Sequence, residues 1–126
     1  MTVKTPYQQY NEIKIKSCNK KDLIILAYDG IIGFIERCLI NLEDNKIEGV
    51  HGNSLKAQAM LRELILALDM GNGGEIAANL FEIYNFMIFR LVMGNTKKEK
   101  QPFLEVKEML LTLRSAWVEI RINGNN

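Results

Sequence analysis

Four stretches of the chain repeat their apolar positions every three or four residues, the period of a helix face. In the first, Leu23, Ala27, Gly30, Phe34 and Cys38 form one stripe, and Ile24, Tyr28, Ile31, Ile35 and Leu42 form another. The pattern predicts a helix over residues 19–42, opened by Asn19-Lys20-Lys21-Asp22 as a capping box with Asp in place of Glu. Gly30 and Gly33 inside it suggest close approach of a neighbouring backbone. A second helix is expected to run to about residue 69. Its first half holds Gly49 and Gly52 and should fray or start late, whereas Ala57, Leu61, Leu64 and Leu68 give its second half a firm stripe. A third helix over residues 74–93 aligns Ile76, Leu80, Ile83, Met87 and Leu91 as core, with Phe81, Tyr84, Ile88 and Val92 beside them. Phe86, Phe89 and Met93 continue further round. The fourth follows Pro102, a residue suited to a first helical turn. There Phe103, Val106, Leu110, Leu113, Trp117 and Ile120 alternate spacings of three and four, a heptad-like seam, and Leu104, Leu111 and Val118 form a second row spaced by seven.

The connections are short. Residues 41–45 carry turn chemistry, Gly71-Asn72-Gly73-Gly74 reads as a helix stop followed by a helix start, and residues 94–101 read as a helix end and a charged loop. Short connections between amphipathic helices predict an all-α, antiparallel up-down four-helix bundle. Residues 1–18 are polar with isolated apolar groups, and Glu12-Ile13-Lys14-Ile15-Lys16 alternates with period two. They read as an extended or short helical N-terminal segment, partly mobile; residues 19–122 form the bundle and 123–126 a loose tail.

Composition narrows the function classes. The 126 residues suit one domain, and 48% hydrophobic with 25% charged residues exclude disorder across the chain. A formal net charge of +1 supplies no basic field for nucleic acid or an anionic membrane surface. The longest unbroken apolar run, residues 23–28, is far short of a membrane span. The N-terminus lacks the apolar core of a signal peptide, so a cytoplasmic location is expected.

The inventory of reactive groups is thin. His51 is the one histidine, which cannot supply the two Glu-x-x-His motifs of a bundle metal site, and no HExxH or Cys/His cluster occurs. The glycines at 71–74 match neither GxGxxG nor a P-loop. Cys38 reads as a small core hydrophobe, and Cys18 has no partner at CxxC spacing. Asp29 and Glu36 lie among apolar residues without declaring a carboxylate pair. No enzyme, metal or cofactor is expected. What the pattern does offer is a surplus of apolar faces: the first, third and fourth helices each carry a second stripe. Either broad stripes fill a wide core, or an exposed groove receives a partner helix.

The order of several motifs resembles the FliS family, the flagellin-specific export chaperones. Pro6-Tyr7-Gln8-Gln9-Tyr10, the Tyr28-Asp29-Gly30 centre of the first helix, and Lys56-Ala57 fall where the family carries them. The match continues through Leu66-Ala67-Leu68-Asp69-Met70, Gly73-Gly74-Glu75-Ile76-Ala77-Ala78-Asn79-Leu80, Tyr84, Met87, Arg90-Leu91 and Asn95. Glu105-Val106, Leu113-Arg114, Ala116-Trp117 and Glu119 complete it in the fourth helix. Ala27 stands where a larger Leu is usual, and Phe86 and Phe89 replace more polar residues.

The resemblance implies a cytoplasmic helical chaperone that binds the C-terminal segment of flagellin. It implies prevention of premature polymerisation and assistance of export by the flagellar type III apparatus, with no cofactor. An anti-sigma factor or an export-apparatus component is the alternative partner, and an exposed patch allows a weak homodimer. From helical position, the expected partner-binding residues are Ile65, Leu66, Phe86, Phe89, Met93, Leu104, Leu111 and Val118. Tyr7 and Tyr10 are expected to anchor the N-terminal segment across part of the same surface.

Overall fold

The computed structural model describes residues 20–123, which form α1 (Lys20–Glu43), α2 (Ile47–Leu66), α3 (Gly74–Lys97) and α4 (Lys100–Asn123). The fold is an all-α, antiparallel four-helix bundle. Each helix packs on the next, and α4 closes the ring against α1. The expected cap at Asn19, Cys18, and the period-two stretch at 12–16 lie outside the described residues.

The core selects among the stripes. On α1 it takes Tyr28, Ile31 and Ile35, together with Ile25, Ile32 and Cys38. Leu23, assigned to the other stripe, is left 39% exposed. α2 gives Val50, Ala57, Leu61 and Leu64, α3 gives Ala77, Leu80, Tyr84, Met87 and Leu91, and α4 gives Phe103, Val106 and Leu110. Ile76 and Ile120 belong by spacing to core stripes but are 69% and 44% exposed. Both sit in a terminal turn, α3's first and α4's last, where the neighbouring helices no longer reach over them.

Two helix boundaries differ from the pattern, and both differences come from tertiary contact. α2 starts at Ile47, well before the expected late start. Val50 is fully buried, and the space a Cβ would occupy at Gly49 is filled by the Asn41 amide of α1. Packing around Gly49 and Val50 therefore offsets the poor helix propensity of this turn, whereas Gly52 meets nothing within 4 Å. α3 does not stop at Gly94 but runs to Lys97, with Lys98 as a left-handed cap at φ 54°. Gly94 is buried against the Phe103 ring, where a Cβ would come within 2.9 Å of a ring carbon. Asn95 is held by His51 Nδ1 at 2.9 Å and accepts from Lys98 Nζ at 2.7 Å. In α1, by contrast, Gly30 meets only the flexible end of Met60 and Gly33 meets nothing within 4 Å. Close backbone approach is therefore not their role. At Gly74, the first residue of α3, φ is +57°, which glycine adopts without strain.

The seam between α1 and α4 is laced by charge. Asp22, Asp29 and Glu36 recur every seven residues on α1 and meet Arg121, Arg114 and Lys107 in reverse order on α4. The contacts are 3.0, 2.5 and 3.2 Å. Partly exposed pairs of this kind stabilise little individually. Shifting α4 by one turn would set each base against the wrong neighbour, so the ladder specifies antiparallel register. It also accounts for the acidic residues among apolar neighbours on α1.

Candidate partner-binding site

Three kinds of apolar surface remain open on this scaffold. The first is the outer side of α3. Phe81, Phe86, Phe89 and Val92 are 42%, 45%, 58% and 42% exposed. α3 is long and apolar enough, by length and composition, to cross a membrane, yet it is one helix of the bundle, packed against α2 and α4. Its apolar content exceeds what the core consumes.

The second surface belongs to α4. Leu104, Leu111 and Val118 each precede by three residues a base of the charge ladder, which sets them on the α1 flank of α4. Leu111 is 38% exposed; Leu104 and Val118 are half-buried. Leu104 lines a shallow depression with Leu39, Leu42, Glu43, Lys98 and Lys100. Arg90 pairs with Glu105 at 2.9 Å and marks the other flank, where α4 meets α3. Phe86 and Met93 lie four residues before and three after Arg90, so they border that flank; Met93 is half-buried with Sδ 3.5 Å from Arg90 Nη1. The rows expected on the third and fourth helices therefore do not form one groove. On α2, Leu66 is 79% exposed, while Ile65 is half-buried against the core. Tyr7 and Tyr10 lie outside the described residues.

The third surface is a cavity of about 420 Å³ at the end of the bundle where α1 and α3 begin and α2 and α4 finish. Leu23 and Ile24 of α1, Leu64 of α2 and Leu68 just beyond it, Ile76, Ala77, Leu80 and Tyr84 of α3, and Trp117 of α4 line it, with Lys20 and Asp69 as its charged residues. The sequence pattern does not single out this site. Its signal lies in the apolar residues at and just beyond the helix ends, Leu23, Leu68 and Ile76, which a bundle core does not require.

Beside the cavity lies a polar network in otherwise apolar packing. The Tyr28 and Tyr84 hydroxyls, from diagonal helices, are 2.6 Å apart, with their rings edge-on at 6.3 Å. Trp117 Nε1 donates to the Tyr28 hydroxyl at 3.0 Å. Trp117 thus finds the acceptor its indole requires, although it is half-buried rather than a full core residue. Burial pushes both phenols above the ordinary tyrosine range, so both keep their protons at neutral pH. Burial likewise pushes the Cys38 thiol up to about 12, and its Sγ contacts the Val50 carbonyl at 3.5 Å. Among the described residues no group of His, Cys, Asp or Glu side chains gathers as metal ligands.

Exposed aromatic residues and an open apolar end are the physical signature of an interaction surface. A family model for the flagellar protein FliS matches residues 3–124. This chain belongs to the FliS family. Similar proteins include the flagellar secretion chaperone FliS of Bacillus subtilis strain 168, 27% identical over 117 residues, covering 93% of this chain and 86% of the relative. The flagellar secretion chaperone FliS of Salmonella typhimurium strain LT2 is 32% identical over 110 residues, 86% of this chain and 82% of the relative. Flagellar secretion chaperone FliSB of Pseudomonas aeruginosa is 33% identical over 112 residues, 88% and 89% of the two chains. These FliS relatives are chaperones, a role that open apolar surface on a folded scaffold suits.

Proposed function

We propose that this chain binds the C-terminal segment of flagellin in the cytoplasm, keeps it from polymerising prematurely, and assists its export by the flagellar type III apparatus. The observation that carries the reading is the outer side of α3, where Phe81, Phe86, Phe89 and Val92 stand open on a helix that the core cannot satisfy. Amphipathic segments of a filament subunit pair with one another through apolar faces. A chaperone surface that covers those faces removes the pairing, and the segment orders as it binds. Ordering costs conformational entropy, which only extensive apolar contact offsets.

Phe86 and Phe89 are the central contacts in this proposal. Leu66, Met93, Leu104, Leu111, Val118 and Ile65 extend them over neighbouring faces, so the client wraps the bundle rather than filling one groove. Tyr7 and Tyr10 are proposed to anchor the N-terminal segment across part of this surface when no client is present. Deleting residues 1–16 should then raise client affinity and increase self-association.

Co-purification tests the central claim. Full-length flagellin should be retained by this chain, and flagellin truncated at its C-terminus should not. Equal retention of both would place the client contact elsewhere in flagellin and refute the reading.

A further inference from the structure

Two cations meet at one ring on the seam between α1 and α2. The Arg37 guanidinium lies 5.4 Å and the Lys56 ammonium 5.8 Å from the centre of the Phe34 ring, one from each helix. Phe34 is half-buried and both bases are exposed, so the charges gather on the open side of the seam. The ring attracts each cation, but the two cations repel one another. Elsewhere on the bundle Arg90, Lys107, Arg114 and Arg121 each hold a carboxylate. Arg37 and Lys56 form no ion pair among the described residues. Their own helices supply none. A helical side chain meets those three and four residues away. For Arg37 these are Gly33, Phe34, Ile40 and Asn41, and for Lys56 they are Gly52, Asn53, Ala59 and Met60, none of them acidic. Each base also has a glycine four residues before it, and a Cβ at Gly33 or Gly52 would meet nothing within 4 Å. Glycine weakens a helix interior, and the packing of the bundle requires it at neither position. Ile40, three residues beyond Arg37, is 59% exposed. The seam thus joins uncompensated positive charge, bare surface and an open apolar side chain.

Resting on the proposed function above, we infer that an acidic side chain of the client segment pairs with Arg37 and Lys56 at Phe34, with neighbouring client side chains over the bare surface at Gly33 and Gly52 and against Ile40. A carboxylate supplies what the seam lacks. It accepts charge-assisted hydrogen bonds from both bases and relieves their mutual repulsion. Both bases are exposed, so the pairing does not carry the desolvation cost of a buried ion pair. A basic client residue would be repelled here, and an apolar one would leave the repulsion in place. In the ring of helices α1 stands diagonal to α3, so this contact and the one at Phe86 and Phe89 lie on different sides of the bundle. A client that reaches both wraps the bundle. The apolar face of α3 then supplies affinity, and the charged seat fixes the direction and register in which the client lies.

The test uses the full chain and two labelled peptides of the flagellin C-terminal segment: the natural one, and one in which every carboxylate, the terminal one included, is an amide. Fluorescence anisotropy gives the affinities. Arg37→Gln and Lys56→Gln should each weaken binding of the natural peptide about two- to fivefold, the range of exposed ion pairs, and the double variant about tenfold. The amide peptide should bind all of these variants as it binds the wild type. Gly33→Leu covers the bare surface and should weaken both peptides at least about threefold. Its melting temperature should not fall, because a Cβ there meets nothing and leucine is the better helix former. Glutamine variants that change both peptides equally, or neither, would overturn the inference while leaving the chaperone reading intact. Unchanged binding by Gly33→Leu would overturn it as well. No binding of the natural peptide by the wild type would remove the proposed function itself.

Discussion

Replacing Phe89 on the outer side of α3 tests whether that face holds the client. Phe89 leaves 58% of its surface open in the free protein. A phenylalanine presents roughly 200 Å², so about 120 Å² is available to be covered. At about 25 cal/mol per Å², complete coverage contributes about 3 kcal/mol to binding. Phe89→Ala forfeits the portion beyond Cβ, about 2 kcal/mol, or about thirtyfold in Kd. Phe89→Asp adds the cost of covering a carboxylate and should exceed about a hundredfold. The free protein should notice little, because substitutions at open surface positions fall within about 0.5 kcal/mol. Anisotropy of a labelled flagellin C-terminal peptide gives the affinity, and thermal melting followed by circular dichroism gives the stability. Phe86→Ala, at a residue 45% exposed, should cost about 1.5 kcal/mol by the same arithmetic. Affinities within about twofold of wild type for both aspartate variants, at unchanged melting, would show that this face is idle surface. A large fall in melting would show instead that the rings are core.

Three further outcomes follow from the packing. Trp117→Ala should cost about 3 kcal/mol, the low end for a large aromatic, because the ring is half-buried and Tyr28 loses its donor; denaturant unfolding measures it, and an unchanged midpoint would make Trp117 surface. Asp29→Arg and Arg114→Asp should each lower stability by about 0.5–1 kcal/mol, and the charge-reversed double variant should recover most of it. Failure of that recovery in a double-mutant cycle would deny the pair a role in register. Alkaline unfolding should be sharp. Tyr28 and Tyr84 ionise more readily unfolded than folded, so the stability they contribute is present below their ordinary value of 10.0 and is lost as pH rises above it. Cys38 acts in the same direction from 9.0 to about 12. In a variant with Tyr7 and Tyr10 changed to Phe, phenolate absorbance should appear together with loss of helicity, and gradual phenolate formation in a folded chain would contradict the buried network.

The sequence by itself determined the helices and the class of fold. Apolar periodicity is a local property, and so are the signals at Asn45 and at Gly73-Gly74 that interrupt it. The spacing of Leu110, Leu113 and Trp117, or of Leu80, Met87 and Leu91, implies a helix wherever the chain goes afterwards. The ordered motifs from Pro6 to Glu119 pointed to the FliS family for a related reason: they are read along the chain, without knowing what touches what. Tertiary structure decided what depends on a neighbour. α3 passes Gly94 because the Phe103 ring from α4 covers that glycine, and a glycine-asparagine pair alone reads as a stop. Leu23 and Ile76 carry the same apolar signal as Ile31 and Leu80, yet they ring an open end because no helix extends over them. Asp22, Asp29 and Glu36 became a ladder only once α4 lay antiparallel beside α1. The Tyr28, Tyr84 and Trp117 network joins three helices across separations of 56 and 89 residues. Period and propensity act over one or two turns of helix. Burial and the pairing of polar groups are set by which residues the bundle brings together, and no local pattern encodes that.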